Sequence, residues 1–402
     1  MSRVSVTAAR KALLAEKKLA SIRTGTGKDY LTYHALKKSM GLFQENAFVP
    51  WVSYVFPPEI LASYGLTPLI PELAAATLTG TKLREQVDRA VNRLGLARDL
   101  CSYHRTSLAA LREGLLPPPS VCLGTTPLCL GKELLLDRVA NDHGVPFRSI
   151  QVSQPPDEGP AEDTAVLAVA QQLRDVHNEI GDFCGRLSRL EEAVDLSNRA
   201  RSAWRDLTEA RLRGEILLDG RGAFSFAFLG QMLWGTAEGA DGYEMLLEPR
   251  RRRDLTVKGD GHKRLMWLHT LPHHNPKLFS FISSRGAVVA FEEMCRPYEG
   301  SLDPRDPFPG MARRLLEHPL WGTASRRARL VRDTALETGI HGVVHFNQWG
   351  CRHGLGTVPV LKEVLGKAGI PFLALDGDAL EKPSEAGSNG STEQLEVFLE
   401  ML

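Results

Sequence analysis

The chain has no C-x-x-C pair, no Walker phosphate loop, no apolar run near membrane-spanning length and almost no net charge. Without paired cysteines a zinc ribbon or thioredoxin-like motif is disfavoured. Without G-x-x-x-x-G-K-[ST], any ATP hydrolysis has to come from a partner. Spanning a bilayer takes roughly 20 consecutive apolar residues, so no membrane partner is expected. Lys and Arg number 49 against 48 Asp and Glu, which leaves no global pull toward nucleic acid. Ser2 to Arg23 is basic and helix-prone but lacks an apolar h-region, so it reads as a surface helix or arm and not a secretory signal. The six cysteines are therefore expected in the cytoplasm as thiols.

What is present is an ordinary globular composition, 43% hydrophobic and 24% charged over 402 residues, enough for two domains with cores of their own. After a basic arm or helix at 1–47, residues 48–160 alternate short apolar runs with helical patterns, as a parallel sheet requires. Pro155-Pro156-Asp157-Glu158-Gly159-Pro160 breaks this pattern. Leu173, Val176, Ile180, Phe183, Leu187, Leu190 and Val194 then recur at helical spacing, which predicts a long amphipathic helical connector within 161–222 that bridges the lobes, packs on a partner subunit or packs on its own domain. A second α/β region follows at 223–402, with strands over Ala287 to Phe291, Gly342 to Phe346 and Pro371 to Leu375 and a polar loop over Lys382 to Ser391.

Three cysteines carry the chemistry. Cys101 opens Cys-Ser-Tyr-His-Arg, Cys129 closes Thr-Thr-Pro-Leu-Cys, and Cys351 sits in Trp-Gly-Cys-Arg-His; each is expected at a strand mouth ahead of a helix. Ligands of open α/β sheets bind at such mouths. Gathered thiolates there suggest soft metal chemistry, and the positive end of the helix after Cys351 favours its thiolate. Free cysteine is also a small buried hydrophobe, which is the reading for Cys122 and Cys184. Cys295, after the Ala287 strand, is the rival for Cys351.

Other features extend the pattern. Tyr54-Val-Phe-Pro-Pro-Glu59-Ile-Leu-Ala62 is followed by Gly65. Leu115-Leu-Pro-Pro-Pro precedes Gly124-Thr-Thr-Pro-Leu-Cys129-Leu-Gly-Lys, and Asp376-Gly-Asp378 and the tail Leu395-Glu-Val-Phe-Leu-Glu-Met-Leu402 come late. In this order the motifs resemble the 2-hydroxyacyl-CoA dehydratase and benzoyl-CoA reductase family, as a 2-hydroxyglutaryl-CoA dehydratase D-component-like subunit. The resemblance implies two Rossmann-like lobes with parallel sheets, joined by a helical segment, and a four-iron four-sulfur cluster between them held by Cys101, Cys129 and Cys351. It implies a coenzyme A thioester substrate, a paralogous subunit or a second copy as partner, and a separate ATP-hydrolysing iron–sulfur activator. In the dehydratases a 2-hydroxyacyl-CoA is reduced to a ketyl radical anion, loses hydroxide and returns the electron; in the other branch the electrons remain in a dearomatised ring. Two alternatives stay open: a non-catalytic electron-relay or scaffold subunit whose paralogue binds substrate, and a reductase of a small substrate without coenzyme A.

The sequence departs from that pattern at Leu130, where many relatives have Asp; at Glu393-Gln394, where relatives often have Arg; and at Ser53, where the double-cubane branch carries an extra cysteine. His104 and Arg105 follow Cys101 and Arg352 and His353 follow Cys351, so His104 and His353 are candidate acid–base groups and Arg105 and Arg352 candidate anion contacts. Glu59 is a third catalytic candidate, or only a helix-start charge. Arg250-Arg251-Arg252-Arg253, with Lys258, Lys263 and Arg264, reads either as a grip on coenzyme A phosphates or as a solvated face. His269, His273 and His274 lack zinc-protease spacing and read as loop or cap residues.

Overall fold

The protein is described by a computed structural model over residues 3–81, 83–216, 218–248, 261–275, 277–297, 300–381 and 390–402. It is an α/β protein with two all-parallel sheets. β1 (Pro50–Val52), β2 (Val121–Thr125) and β3 (Phe147–Ile150) lie in that order. The second sheet has four strands: β4 (Lys263–Leu268), β5 (Ala287–Glu292), β6 (Gly342–Gln348) and β7 (Phe372–Gly377), ordered β5-β4-β6-β7. Every residue of β2 and of β6 is buried, as expected of parallel strands covered by helices on both faces.

β4 was not expected. It opens with Lys263 and Arg264, which sequence reading grouped with a cationic run, and only four apolar residues follow; so short a run does not announce a strand. Both cations are used in the fold: Lys263 Nζ donates to Leu402 O and Arg264 donates to Leu212 O and Gly339 O. Arg250 to Arg253 and Lys258 lie outside the described residues, as does most of the expected loop at 382–391.

The expected single connector is two helices, Asp163–Cys184 and Leu190–Leu212. Gly185 ends the first in the left-handed region at φ 64°, and Leu187 in the break is 94% exposed. Leu173, Val176 and Ile180 of the first helix join Val52, Leu123 and Ile150 of the first sheet in one apolar cluster. Ala200, Trp204 and Leu207 of the second join Leu265, Trp267 and Val289 of the second sheet in another. The buried residues of the stripe, Leu173, Val176, Ile180 and Val194, thus all enter the first core, and only the later part of the second helix enters the other.

Within the expected arm, Gly27–Gly41 is a docked helix. Thr26 caps it by accepting from Asp29 N, and Leu31 and Ala35 enter the core. A Cβ on Gly27 would come within 2.9 Å of Leu246, so glycine permits the close approach to the helix Ala237–Leu247.

Candidate functional site

Cys101, Cys129 and Cys351 each occupy the N-cap of a different helix, Ser102–Arg112, Leu130–His143 and Arg352–Lys367. The first helical turn of each leaves N–H groups unpaired, and these turn toward sulfur. Gly354 N–H donates to Cys351 Sγ at 3.3 Å. The N–H groups of Tyr103 and His104 face Cys101, and that of Lys132 faces Cys129. Cys129 follows β2 and Cys351 follows β6, as expected of strand mouths. Cys101 corrects that expectation, because the element before it is the helix Arg84–Arg93 and not a strand; contacts from the second sheet position it instead.

Those contacts are specific. Gly350 stands at φ 76°, and a Cβ there would come within 2.8 Å of Cys101 N, so glycine is needed both for its backbone and for the approach. Tyr103 and Thr270 share a hydroxyl hydrogen bond of 2.5 Å, and Gln348 Nε2 reaches Ser102 Oγ at 3.4 Å and Asp378 Oδ2 at 3.0 Å. Asp378, the second acid of the Asp-Gly-Asp motif, also accepts from Leu380 N and Glu381 N. Its role is to fix Gln348 and the turn beside the cysteines.

All three cysteines line one cavity of about 140 Å³, together with His104, His353, Lys132 and His269. Each pair among the three thiols is close enough to interact electrostatically. Among the described residues, however, no three His, Cys, Asp or Glu side chains form a group that could hold one metal ion. A single zinc ion would require Zn–S distances of about 2.3 Å from every sulfur. The thiols border a space instead of meeting at a point. Among the described residues three non-glycine positions have positive φ, and two of them, Leu128 at 78° and His269 at 68°, also line this cavity; strained backbone of this kind gathers at functional sites.

Burial controls the protonation of the site. It pushes the Cys101 thiol up to about 12, and raises Cys129 and Cys351 against the pull of the helix N–H groups. The expectation of a favoured Cys351 thiolate is corrected on this point, since loss of hydration outweighs the helix end. Burial also lowers His104 to about 4, assisted by Lys132, and lowers His353 to about 4, assisted by Arg327. Both are neutral at pH 7. They can accept a proton or offer an N–H, but they do not store a proton for delivery.

Of the remaining candidates, none of Glu59, Arg105, Arg352 or Cys295 lines the cysteine cavity. Glu59 is buried between Arg201 at 3.1 Å, Arg314 at 3.0 Å and Ser197 at 2.7 Å. Arg105 binds Glu381 at 2.7 Å and Leu100 O at 2.9 Å, Arg352 is exposed, and Cys295 is buried elsewhere. Cys122 is buried in β2. Ser53, at the departure from the double-cubane pattern, shares a 3.0 Å hydrogen bond with Thr125.

Sequence reading missed His269 and Lys132. His269 Nε2 lies 3.4 Å from Cys351 Sγ, and its Nδ1 lies 3.1 Å from Phe346 O. Lys132 Nζ donates to Pro127 O at 2.5 Å and Thr125 Oγ1 at 3.2 Å. A signal for Lys132 existed, because it stands at the third position after a capping cysteine; His269 directly follows β4, the unexpected strand. A Cβ on Gly131 would lie 2.7 Å from His104, which fixes that imidazole beside Cys129.

Parallel sheets whose cysteine-capped helices converge on one cavity define an α/β protein with three thiols at its candidate site. Residues 53–402 match the family described as 2-hydroxyglutaryl-CoA dehydratase, D-component, and the chain belongs to it. The chain is similar to the (R)-phenyllactyl-CoA dehydratase alpha subunit of Clostridium sporogenes, 22% identical over 350 residues that cover 82% of this chain and 84% of that protein. It is thus a component of dehydratase type. Among the described residues no helix is long and apolar enough to cross a membrane.

Proposed function

We propose that this chain is the iron–sulfur subunit of a 2-hydroxyacyl-CoA dehydratase, in which Cys101, Cys129 and Cys351 hold a four-iron four-sulfur cluster beside a coenzyme A thioester. The carrying observation is that these three cysteines, alone among six, line one cavity, each with helix N–H groups turned toward its sulfur. Such N–H groups stabilise sulfur once a metal has replaced the thiol proton. A body that fills the space between the thiols suits their separation better than one ion does. When bound, the cluster supplies one-electron chemistry.

The chain's own residues then have separate tasks. Neutral His104 and His353 offer an N–H to, or take a proton from, a substrate at the cavity, and Lys132 supplies a buried cation. Glu59 holds together the helix Pro58–Ala62 that carries it, Leu190–Leu212 through Arg201, and Phe308–Leu316 through Arg314. Residues 48–160 and 223–402 act as two lobes joined by 161–222, after an N-terminal segment at 1–47. The work is shared with a paralogous subunit or a second copy and with an ATP-hydrolysing activator, in the cytoplasm; the six free thiols support a reducing compartment.

Anaerobic purification with iron and sulfide counts tests the reading. About four iron atoms per chain are expected, with each of Cys101→Ser, Cys129→Ser and Cys351→Ser lowering iron and bleaching the visible charge-transfer absorption. Cys295→Ser should retain both. A full cluster in Cys351→Ser, or loss of iron in Cys295→Ser, would remove Cys351 as the third ligand.

A further inference from the structure

Proton supply is the task at the cysteine cavity that the residues named so far leave open. A 2-hydroxyl departs as hydroxide, and a proton delivered to its oxygen eases that bond breaking. His104 and His353 hold no proton for this purpose at pH 7, since burial lowers each to about 4. The Tyr103 hydroxyl is engaged with Thr270, and burial pushes its pKa further up. Lys132 Nζ is committed to Pro127 O and Thr125 Oγ1. The thiols are committed to the cluster in the reading above.

Glu72 also lines this cavity. Sequence reading passed over it, because it stands where an ordinary first-turn acid would, in the helix Pro71–Thr79. Its backbone is held from two sides. Just before it, Leu69 N–H donates to Pro50 O at 2.8 Å and Leu69 O accepts from Val52 N–H at 2.9 Å, alongside β1. Ser107 Oγ, on the helix that Cys101 caps, donates to Pro71 O at 2.9 Å. The carboxyl itself is left incomplete: Oε2 is buried with no hydrogen-bond partner among the described residues. Burial raises its pKa and Glu133 adds to the rise, while its own N–H and Lys132 oppose it. Tyr103 and Cys129 are the other ionisable groups that feel its charge. An acid that only serves a helix start works by staying charged, and this site disfavours the charge.

We propose that Glu72 is the general acid that gives its proton to the departing 2-hydroxyl. This rests on the thioester reading above. In the step the C2–O bond breaks with its electron pair going to oxygen, the Glu72 O–H bond breaks, and its proton joins that oxygen to give water. A neutral imidazole of the cavity takes the C3 proton, and exchange with solvent returns one proton to Glu72, so acid and base are both restored. One electron is lent to the thioester before the step and returned after it; none is consumed.

The test uses the full chain under anaerobic conditions, with titanium(III) citrate as electron donor and 2-hydroxybutyryl-CoA and 2-hydroxyglutaryl-CoA as probes. Glu72→Gln, of the same shape but unable to give up a proton, should keep iron, urea-unfolding midpoint and KM while kcat falls by about 100- to 10,000-fold. Glu72→Asp, which keeps the carboxyl, should recover part of kcat. A readout independent of turnover is the infrared difference between cluster-free wild type and cluster-free Glu72→Gln at pH 7, which should show the carbonyl stretch of one protonated carboxyl. If Glu72→Gln does not fold, Glu72→Asp decides: it must lower kcat at unchanged KM and shift that band. Full kcat in either variant, or no protonated carboxyl in the difference spectrum, overturns this inference and leaves the thioester reading standing. Loss of iron, stability and kcat in step, with no recovery in Glu72→Asp, makes Glu72 a structural residue and also overturns it. Iron-loaded wild type that turns over neither probe overturns both.

Discussion

Two of the buried charged regions among the described residues are finished differently. At Glu59, one carboxylate oxygen meets Arg201, Arg314 and Ser197, and burial, which would raise its pKa, is outweighed so that the group is held at about 2. At and just behind the wall of the cysteine cavity, Glu72 Oε2, Glu133 Oε1, His353 Nε2 and both ring nitrogens of His345 are buried with no hydrogen-bond partner among the described residues. Burial raises Glu72 and lowers Lys132 and His345 there. Buried polar atoms are nearly always paired, and perturbed groups left unpaired in a cleft mark chemistry more than architecture. The contrast separates a charge centre that maintains the fold from one available to a ligand.

The largest expected effect lies on the cavity side. His104→Gln should retain iron while turnover falls by about 100- to 10,000-fold, the range of general acid–base assistance; iron content and activity measured on one anaerobic preparation check it, and unchanged turnover at full iron would remove His104 from the site. On the other side, Glu59→Ala should destabilise the protein by about 3–5 kcal/mol in urea unfolding, because it leaves two buried guanidinium groups without their carboxylate. Iron per folded chain should not change. If turnover is lost without loss of stability, Glu59 belongs with the chemistry and the contrast fails.

Acid probes the same centre without mutation. The folded pKa of Glu59 lies below its ordinary 4.5, at about 2, so its contribution is complete above 4.5 and is lost as pH falls toward 2. At about 1.36 kcal/mol per pKa unit this is on the order of 3 kcal/mol. Stability curves of wild type and Glu59→Gln should converge over that interval. The smallest effect is expected for Gly131→Ala, whose Cβ meets His104 at 2.7 Å; overpacking should cost about 1–3 kcal/mol and lower turnover by displacing the imidazole. Full activity there would show that the position of His104 is not critical.

One strand of the first sheet and three of the second were legible. Val121 to Thr125 is a β-branched and apolar run between a Pro-rich stop and a turn, and Ala287 to Glu292 and Gly342 to Gln348 announce themselves in the same way. β4 was not, because its first two residues are cations whose partners, Leu212, Gly339 and Leu402, are remote in sequence. The break at Gly185 was also hidden. Helical periodicity continues through it, and stripe residues on both sides, Ile180 and Val194, enter one core, so only the left-handed glycine reveals two helices.

The sequence by itself determined that Cys101, Cys129 and Cys351 each stand before a helix, since capping is local and depends on the few residues that follow. It determined the α/β class for a similar reason, through runs of apolar residues at strand and helix spacing. Only the tertiary structure decided that the three caps share one cavity, because Cys101 and Cys351 are separated by more than half of the chain and are brought together through Gly350, Gln348, Tyr103 and Thr270. It alone decided which charges face that cavity. Glu59, Arg105 and Arg352 carry the right chemistry near the right motifs, yet the first two are bound to other groups and the third is exposed, while His269 arrives from a distant strand. The direction of a side chain depends on which partners neutralise it after folding, and those partners come from anywhere in the sequence.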